Sequence, residues 1–264
     1  MSQLRFTLVQ TALYWEDKKA NLSVLEKKVN DLNEATHVVI LPEMFSTGFS
    51  MKPKLLSETM EGESVNWMKR LAAEKKVIVT GSLIIEEDGH YFNRLIWMLP
   101  NGQLGYYDKR HLFAYAEEDK HYTAGSKRLI ASVNGWKTNL QVCYDLRFPV
   151  WARQKFDEDK NFEYDVLIYV ANWPQRRSTA WKTLLQARAI ENQCYVIGVN
   201  RVGEDGNGVY HSGDSMVVDP LGEILYHKEK EEDVFTIELS KQNLQTVREK
   251  FPFWKDADSF QIYT

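Results

Sequence analysis

Residues Val38-Val39-Ile40-Leu41 form an unbroken apolar run, closed by Pro42. A strand that is apolar at every position must be covered on both faces, and such strands belong to sheets with helices packed against them. That requirement points the chain of 264 residues to an α/β architecture. Residues 4–10 read as a strand, and 17–33 as an amphipathic helix presenting Leu22, Leu25, Val29 and Leu32 on one face. Helical spacing recurs over 64–75 and a strand pattern over 77–85. Residues 93–99 and 104–109 are expected to pair around the turn Pro100-Asn101-Gly102.

Beyond these, 140–143 reads as a short strand and 150–155 as the start of a helix. An apolar strand over 165–171 ends in Asn172-Trp173-Pro174. Residues 178–192 form a helix with Trp181, Leu184, Leu185 and Ala189 inward, followed by a strand over 195–200 and a glycine-rich turn over 203–208. A hairpin of 215–218 with 223–226 surrounds Asp219-Pro220-Leu221-Gly222, and 234–239 makes the last strand. The tail from 242 is polar and aromatic, with Phe251, Phe253, Trp254, Phe260 and Tyr263. No linker, composition break or fixed-period repeat divides the chain. We expect one α/β domain over 4–239 with mixed sheets, and a C-terminal tail over 240–264.

Composition excludes several classes of function. A net charge of -4 argues against a nucleic-acid surface. No apolar run approaches the roughly 18 residues that span a bilayer. Two cysteines cannot make a disulfide framework, and the N-terminal stretch has no signal-peptide core, so a soluble, cytoplasmic protein is expected. There is no glycine-rich dinucleotide fingerprint, no Walker loop, no H-E-x-x-H and no C-x-x-C, so no cofactor or metal is expected.

The chemistry is expected at Cys143. A free cysteine is most often a small buried apolar residue. Here it ends a strand at a sharp turn, in Val142-Cys143-Tyr144-Asp145-Leu146-Arg147-Phe148-Pro149, close to unpaired backbone N–H groups that lower a thiol pKa and hold an oxyanion. Two charged residues also stand at strand ends. Glu43, just after the apolar run, is partly desolvated and suited to accept the thiol proton. Lys109 can favour the thiolate and stabilise an oxyanion. Each alone could be an ordinary surface charge. Together they supply the base, cation and sulfur that acyl transfer requires.

Leu41-Pro42-Glu43, Asp108-Lys109-Arg110-His111-Leu112-Phe113 and Cys143-Tyr144-Asp145-Leu146-Arg147-Phe148-Pro149 resemble, in order, the three signature segments of the nitrilase, or carbon–nitrogen hydrolase, superfamily. Residues 187–193 and 213–215 resemble its later segments, and 251–258 resembles the tail of omega-amidase-like members. The resemblance implies a four-layer α-β-β-α sandwich with two mixed sheets, pairing through its helices into a homodimer. It implies Glu43 as general base, Lys109 as oxyanion-stabilising cation, Cys143 as acylated nucleophile and the Tyr144 N–H as a second oxyanion donor. A second glutamate is also implied. Both Glu117 and Glu118 qualify; counting back from Gly125 favours Glu118, whereas the spacing from Lys109 could favour Glu117.

Further expectations follow from position. Cys194 belongs to the core, His111 neighbours Lys109 structurally, and Arg147 orders the turn through a carboxylate. Arg176 and Arg177, beyond Trp173-Pro174, are either solvated or hold a substrate carboxylate, with Trp173 as an aromatic wall and Arg177 favoured as the reader. The expected activity is hydrolysis of a small linear amide through a thioester, with an acidic substrate such as the omega-amide of a short keto dicarboxylic acid. Deaminated glutathione, N-carbamoyl compounds and nitriles remain alternatives within the class. A catalytically silent dimeric scaffold is the alternative outside it.

Overall fold

The computed structural model describes residues 3–156 and 161–263; Met1, Ser2 and the final tail residue Thr264 lie outside the described residues. In chain order the elements of the first half are β1 (Gln3–Gln10), α1 (Lys18–Asn30), β2 (Val38–Ile40), α2 (Pro53–Leu56), α3 (Glu63–Lys75), β3 (Ile78–Glu87), β4 (His90–Met98), β5 (Leu104–Asp108) and α4 (Glu118–His121). There follow β6 (Leu129–Val133), β7 (Trp136–Val142), α5 (Pro149–Ala152), β8 (Val166–Ala171), α6 (Ser178–Asn192), β9 (Tyr195–Asn200) and β10 (Val202–Glu204). The chain ends with β11 (Tyr210–Val218), β12 (Ile224–Glu229), β13 (Asp233–Ser240) and α7 (Lys241–Lys250).

Among the described residues these strands make two mixed sheets. One runs β13-β1-β2-β3-β4-β5, and the other runs β10-β11-β9-β8-β7-β6 with β12 paired to β11. In each sheet three central strands are parallel, β1-β2-β3 and β7-β8-β9, and the flanking strands are antiparallel.

The apolar run over β2 is covered as its sequence requires. Val38 and Ile40 face the second sheet, while Val39 and Leu41 face the helical layer. In β8, Val166, Ile168 and Val170 enter the inter-sheet core, and Leu167, Tyr169 and Ala171 pack towards α6. Leu22, Leu25 and Val29 of α1 and Trp67, Met68 and Leu71 of α3 cover the first sheet. Trp181, Leu185 and Ala189 of α6 cover the second. The result is the four-layer α-β-β-α sandwich. Each fully buried aliphatic side chain in these layers contributes about 1.5–3 kcal/mol.

The structure differs from the sequence reading at several places, beginning with the short helices α2 and α4, which it did not anticipate. Residues 129–133 form an unforeseen strand, β6, paired to β7 around Asn134-Gly135. The helix expected over 150–155 is the single turn α5, begun by Pro149. Pairing around the glycine-rich turn extends it into the hairpin β10–β11. The tail begins with α7, whose N-cap Ser240 accepts a hydrogen bond from the Asn243 N–H at 3.2 Å. Leu244 sits in the inter-sheet core, and Arg248 meets Asp165 at 3.1 Å. Farther on, Trp254 packs with Phe156 and Phe162 of the same chain, each at 5.4 Å between ring centres.

Two glycines let the loops that carry the site approach closely. A Cβ at Gly81 of β3 would lie 2.8 Å from side-chain atoms of Leu41 and Phe45, which flank Glu43. A Cβ at Gly125 would lie 2.1 Å from the carbonyl oxygen of Asp108, and the Gly125 N–H donates to the Lys109 carbonyl.

Candidate active site

Glu43 lies just past β2, Lys109 just past β5, Cys143 just past β7 and Asn172 just past β8. These are C-terminal strand ends drawn from both sheets, the usual place for a cleft in α/β proteins. The Lys109 ammonium donates to Glu43 Oε1 at 3.0 Å and to Glu118 Oε1 and Oε2 at 3.0 and 2.9 Å. All three side chains are fully buried. Asn93 Nδ2 bridges the two carboxylates at 2.8 and 3.2 Å. The second Glu43 oxygen accepts from the Asn172 N–H at 2.8 Å, and Asn172 Nδ2 donates to the Glu43 carbonyl at 2.6 Å. Glu118 also accepts from the Phe113 N–H at 2.6 Å, which ties the loop over the cleft to the lysine.

Geometry separates the two candidate glutamates. Glu118 joins Lys109, whereas Glu117 points outward and pairs with Lys120 at 2.6 Å. Burial works against the Lys109 charge, but Glu118 and Glu43 outweigh it and hold the ammonium above its usual range. Burial raises the Glu118 carboxyl, with Glu43 adding to the shift and Lys109 opposing it.

Cys143 opens a short helical turn, Cys143–Arg147, at φ +44, in the left-handed region that costs a non-glycine residue about 1–2 kcal/mol. A short helical turn leaves its first N–H groups, such as that of Tyr144, without a partner inside the turn. The sulfur corrects one expectation. Burial first, then the Glu43 and Glu118 charges, push the thiol well above its ordinary range, and Lys109 only partly opposes them.

Cys143, Tyr144, Trp173, Arg147, Arg176 and Arg177 line one cavity of about 530 Å³, together with Trp15, Asp205, Gly206, Asn207 and Val209. Trp173 is a platform more than a free wall. Its ring lies between Trp181, at 5.4 Å, and the Arg147 guanidinium, at 4.9 Å, and its indole donates to the Arg177 carbonyl. Arg147 therefore does not order the turn through a carboxylate. That work falls to Asp145, and to Arg188, whose guanidinium donates to the Leu146 carbonyl at 2.5 Å. Arg177 stacks over Phe113 at 5.1 Å and Arg176 over Tyr115 at 5.8 Å. Burial, then the neighbouring Arg176, lower the Arg177 guanidinium; Cys143 opposes this, and Arg147 adds a smaller push downward.

Asn93, Asn172 and Asp145 were not singled out from the sequence. Asn93, a polar residue inside a strand pattern, was the available signal; the other two depend on contacts far along the chain. Cys194 is buried in the core. Among the described residues one group could hold a metal ion, Asp214 with His227 and Glu229. Its Asp214 already accepts from Ser212 and faces Lys182 and His227.

A cysteine facing a buried carboxylate–ammonium–carboxylate cluster, between two sheets, is the arrangement of a hydrolase of carbon–nitrogen bonds outside peptides. The carbon–nitrogen hydrolase family model matches residues 5–249, and the chain belongs to that family. The omega-amidase YafV of Escherichia coli K12 is 43% identical over 264 residues, covering 100% of both chains. The 2-oxoglutaramate amidase of Bacillus subtilis is 32% identical over 239 residues, covering 89% of this chain and 90% of its own. The solved structure of XC1258 from Xanthomonas campestris, a CN-hydrolase superfamily protein with an arsenic adduct in its active site, superposes with a TM-score of 0.97. It is 43% identical, with 100% of each chain covered.

Proposed function

We propose that the protein hydrolyses the terminal amide of a small acid bearing a second carboxylate, such as the omega-amide of a short keto dicarboxylic acid, releasing ammonia. The observation that carries this reading is the cavity wall. Arg147, Arg176 and Arg177 line the space in front of Cys143, and no acidic side chain pairs with them among the described ion pairs. Guanidiniums that no carboxylate pairs with favour a substrate carboxylate, which they meet bidentately; of the acids on the same wall, Glu16 is held by Ser50 and Lys52, and Asp205 by N–H groups of its own loop. Relatives named omega-amidase and 2-oxoglutaramate amidase support the same class.

In the proposed mechanism the amide carbonyl lies against the Tyr144 N–H and Lys109. Glu43 accepts the thiol proton as sulfur attacks the carbonyl carbon. Lys109 and the Tyr144 N–H hold the oxyanion, and Glu118 and Asn93 hold Lys109 and Glu43 in place. The intermediate collapses, Glu43 returns its proton to nitrogen, and ammonia leaves a thioester on Cys143. Glu43 then takes a proton from water, whose oxygen attacks the thioester, and the acid departs as the thiol reforms. The test is a panel of linear amides, nitriles and N-carbamoyl compounds assayed for ammonia, with mass spectrometry of the intact protein. Turnover of anionic amides with an acyl adduct on Cys143 supports the reading; turnover confined to nitriles, or no turnover, overturns it.

We further propose that two copies pair. Ile190 on α6, at 54% exposed, and Leu221 beside it on the β11–β12 turn, at 48%, leave apolar surface facing out. The free thiols suit a reducing, cytoplasmic setting. Sedimentation at micromolar concentration tests the pairing, and a strict monomer would sink it.

A further inference from the structure

The geometry points to Asp145 as a positioning residue that holds Cys143 and Lys109 in register, an inference that rests on the roles proposed above for those two side chains. Asp145 is fully buried, and no lysine or arginine pairs with it among the described ion pairs. Its charge is instead met by four donors. Oδ2 accepts from the Val142 N–H at 3.0 Å and from the Tyr107 hydroxyl at 2.7 Å. Oδ1 accepts from the His111 N–H at 2.9 Å and faces His111 Nδ1 at 2.8 Å.

The origin of these donors is what matters. Val142 immediately precedes the nucleophile, and Tyr107 and His111 stand two residues on either side of Lys109. The nucleophile ends a strand of one sheet, and the lysine follows a strand of the other. One carboxylate therefore ties together two segments whose relative placement sets the distance from sulfur to ammonium. Each donor is itself fixed. The Tyr107 hydroxyl accepts from the Arg110 N–H at 3.1 Å and from the Trp151 indole at 2.9 Å. The His111 ring stacks on Phe148 with 3.8 Å between centres and 7° between planes. The arrangement also holds the strained φ of Cys143, because the Val142 N–H is anchored one residue before it.

An amide cannot replace this carboxylate, although it has the same shape. Its oxygen can serve the His111 pair or the Val142–Tyr107 pair. Its NH2 then faces the other backbone N–H, donor against donor. The turn must relax, and a displacement of about 1 Å at a reacting group costs roughly a hundredfold in rate.

The test compares wild type with Asp145→Asn and Tyr107→Phe. It measures kcat and KM for ammonia release from an anionic amide, and the rate of Cys143 alkylation by iodoacetamide across pH, read by mass spectrometry. For Asp145→Asn we expect kcat to fall roughly a hundredfold with KM within about threefold, and the alkylation profile of Cys143 to move along the pH axis. Tyr107→Phe keeps the carboxylate and both backbone donors and should lose roughly tenfold in kcat. A kcat within threefold of wild type for Asp145→Asn, or lower activity with an unmoved alkylation profile, overturns the inference. Should that variant not fold, an unchanged kcat and profile for Tyr107→Phe overturns it equally. A wild type that releases no ammonia from any amide would instead overturn the proposed function, which is a separate failure.

Discussion

Lys109 and Glu118 meet head on: the ammonium lies 2.9 and 3.0 Å from the two carboxylate oxygens, and neither side chain reaches solvent. Glu118→Gln removes one full charge from this pair while leaving Lys109 buried beside Glu43. We expect activity to fall roughly a hundredfold, as when an oxyanion-stabilising group loses its support. Stability should drop by about 3 kcal/mol, as when a buried ion pair loses a partner. Glu117→Gln, on the exposed neighbour, should change neither. Ammonia release and denaturant midpoints for the two variants check this, and equal effects would contradict the geometry.

Cys143→Ala should abolish ammonia release with the fold intact, whereas Cys194→Ala should keep activity. Glu43→Gln and Lys109→Ala should each cost on the order of a hundredfold or more, as losses of a base and an oxyanion stabiliser do. Near-normal turnover by the Cys143 variant would end the thioester proposal.

Arg177→Ala should raise KM for an anionic amide by roughly ten- to a hundredfold. A neutral amide of the same length should be little affected. Arg147→Ala should act in the same direction, because its guanidinium lies over Trp173 and faces the same cavity. Equal losses on charged and neutral substrates would assign these arginines to the fold.

His211, on the cavity wall, has its pKa lowered to about 4 by burial and, secondarily, by Arg201, with Asp205 opposing. The unfolded chain therefore binds more protons than the folded one between pH 4 and the ordinary histidine value of about 6.5. Stability linked to this group is present at neutral pH and is lost as pH falls through that window, by about 2 kcal/mol between pH 7 and pH 5. His211→Asn should flatten that part of the profile in urea titrations at several pH values. An unchanged slope would show that other groups govern it.

How much was legible in the sequence depended on how local each signal was. The run at Val38 announced a doubly covered strand because burial on both faces leaves its mark on consecutive residues. Glu43, Lys109 and Cys143 were readable as strand-end residues, although their meeting is not a local property. The strand before Asn134-Gly135 is marked in the sequence mainly by that strong turn dipeptide. Helix α7 escaped because Leu244 and Val247 are its only buried apolar residues, so its periodicity is faint, although Ser240 offered a cap. The choice between Glu117 and Glu118 turns on the left-handed φ of Glu117, which swings its successor inward, and no spacing rule conveys that. The place of Arg147 cannot be read from its sequence neighbours, because its side chain's direction depends on Trp173, 26 positions further along.

The cluster of Glu43, Lys109, Glu118 and Cys143 has one further consequence. In the proposed mechanism the cluster starts as two carboxylates, one ammonium and a thiol, which sum to a single negative charge. In the proposed cycle Glu43 becomes neutral as sulfur bonds to carbon and the negative charge appears on the former carbonyl oxygen. The total is the same at every stage, so no counterion has to enter or leave while bonds change. Added salt should therefore leave kcat nearly untouched and act on KM, where the arginines meet an anion in water-accessible space. The chemistry and the recognition of this enzyme thus answer to ionic strength separately.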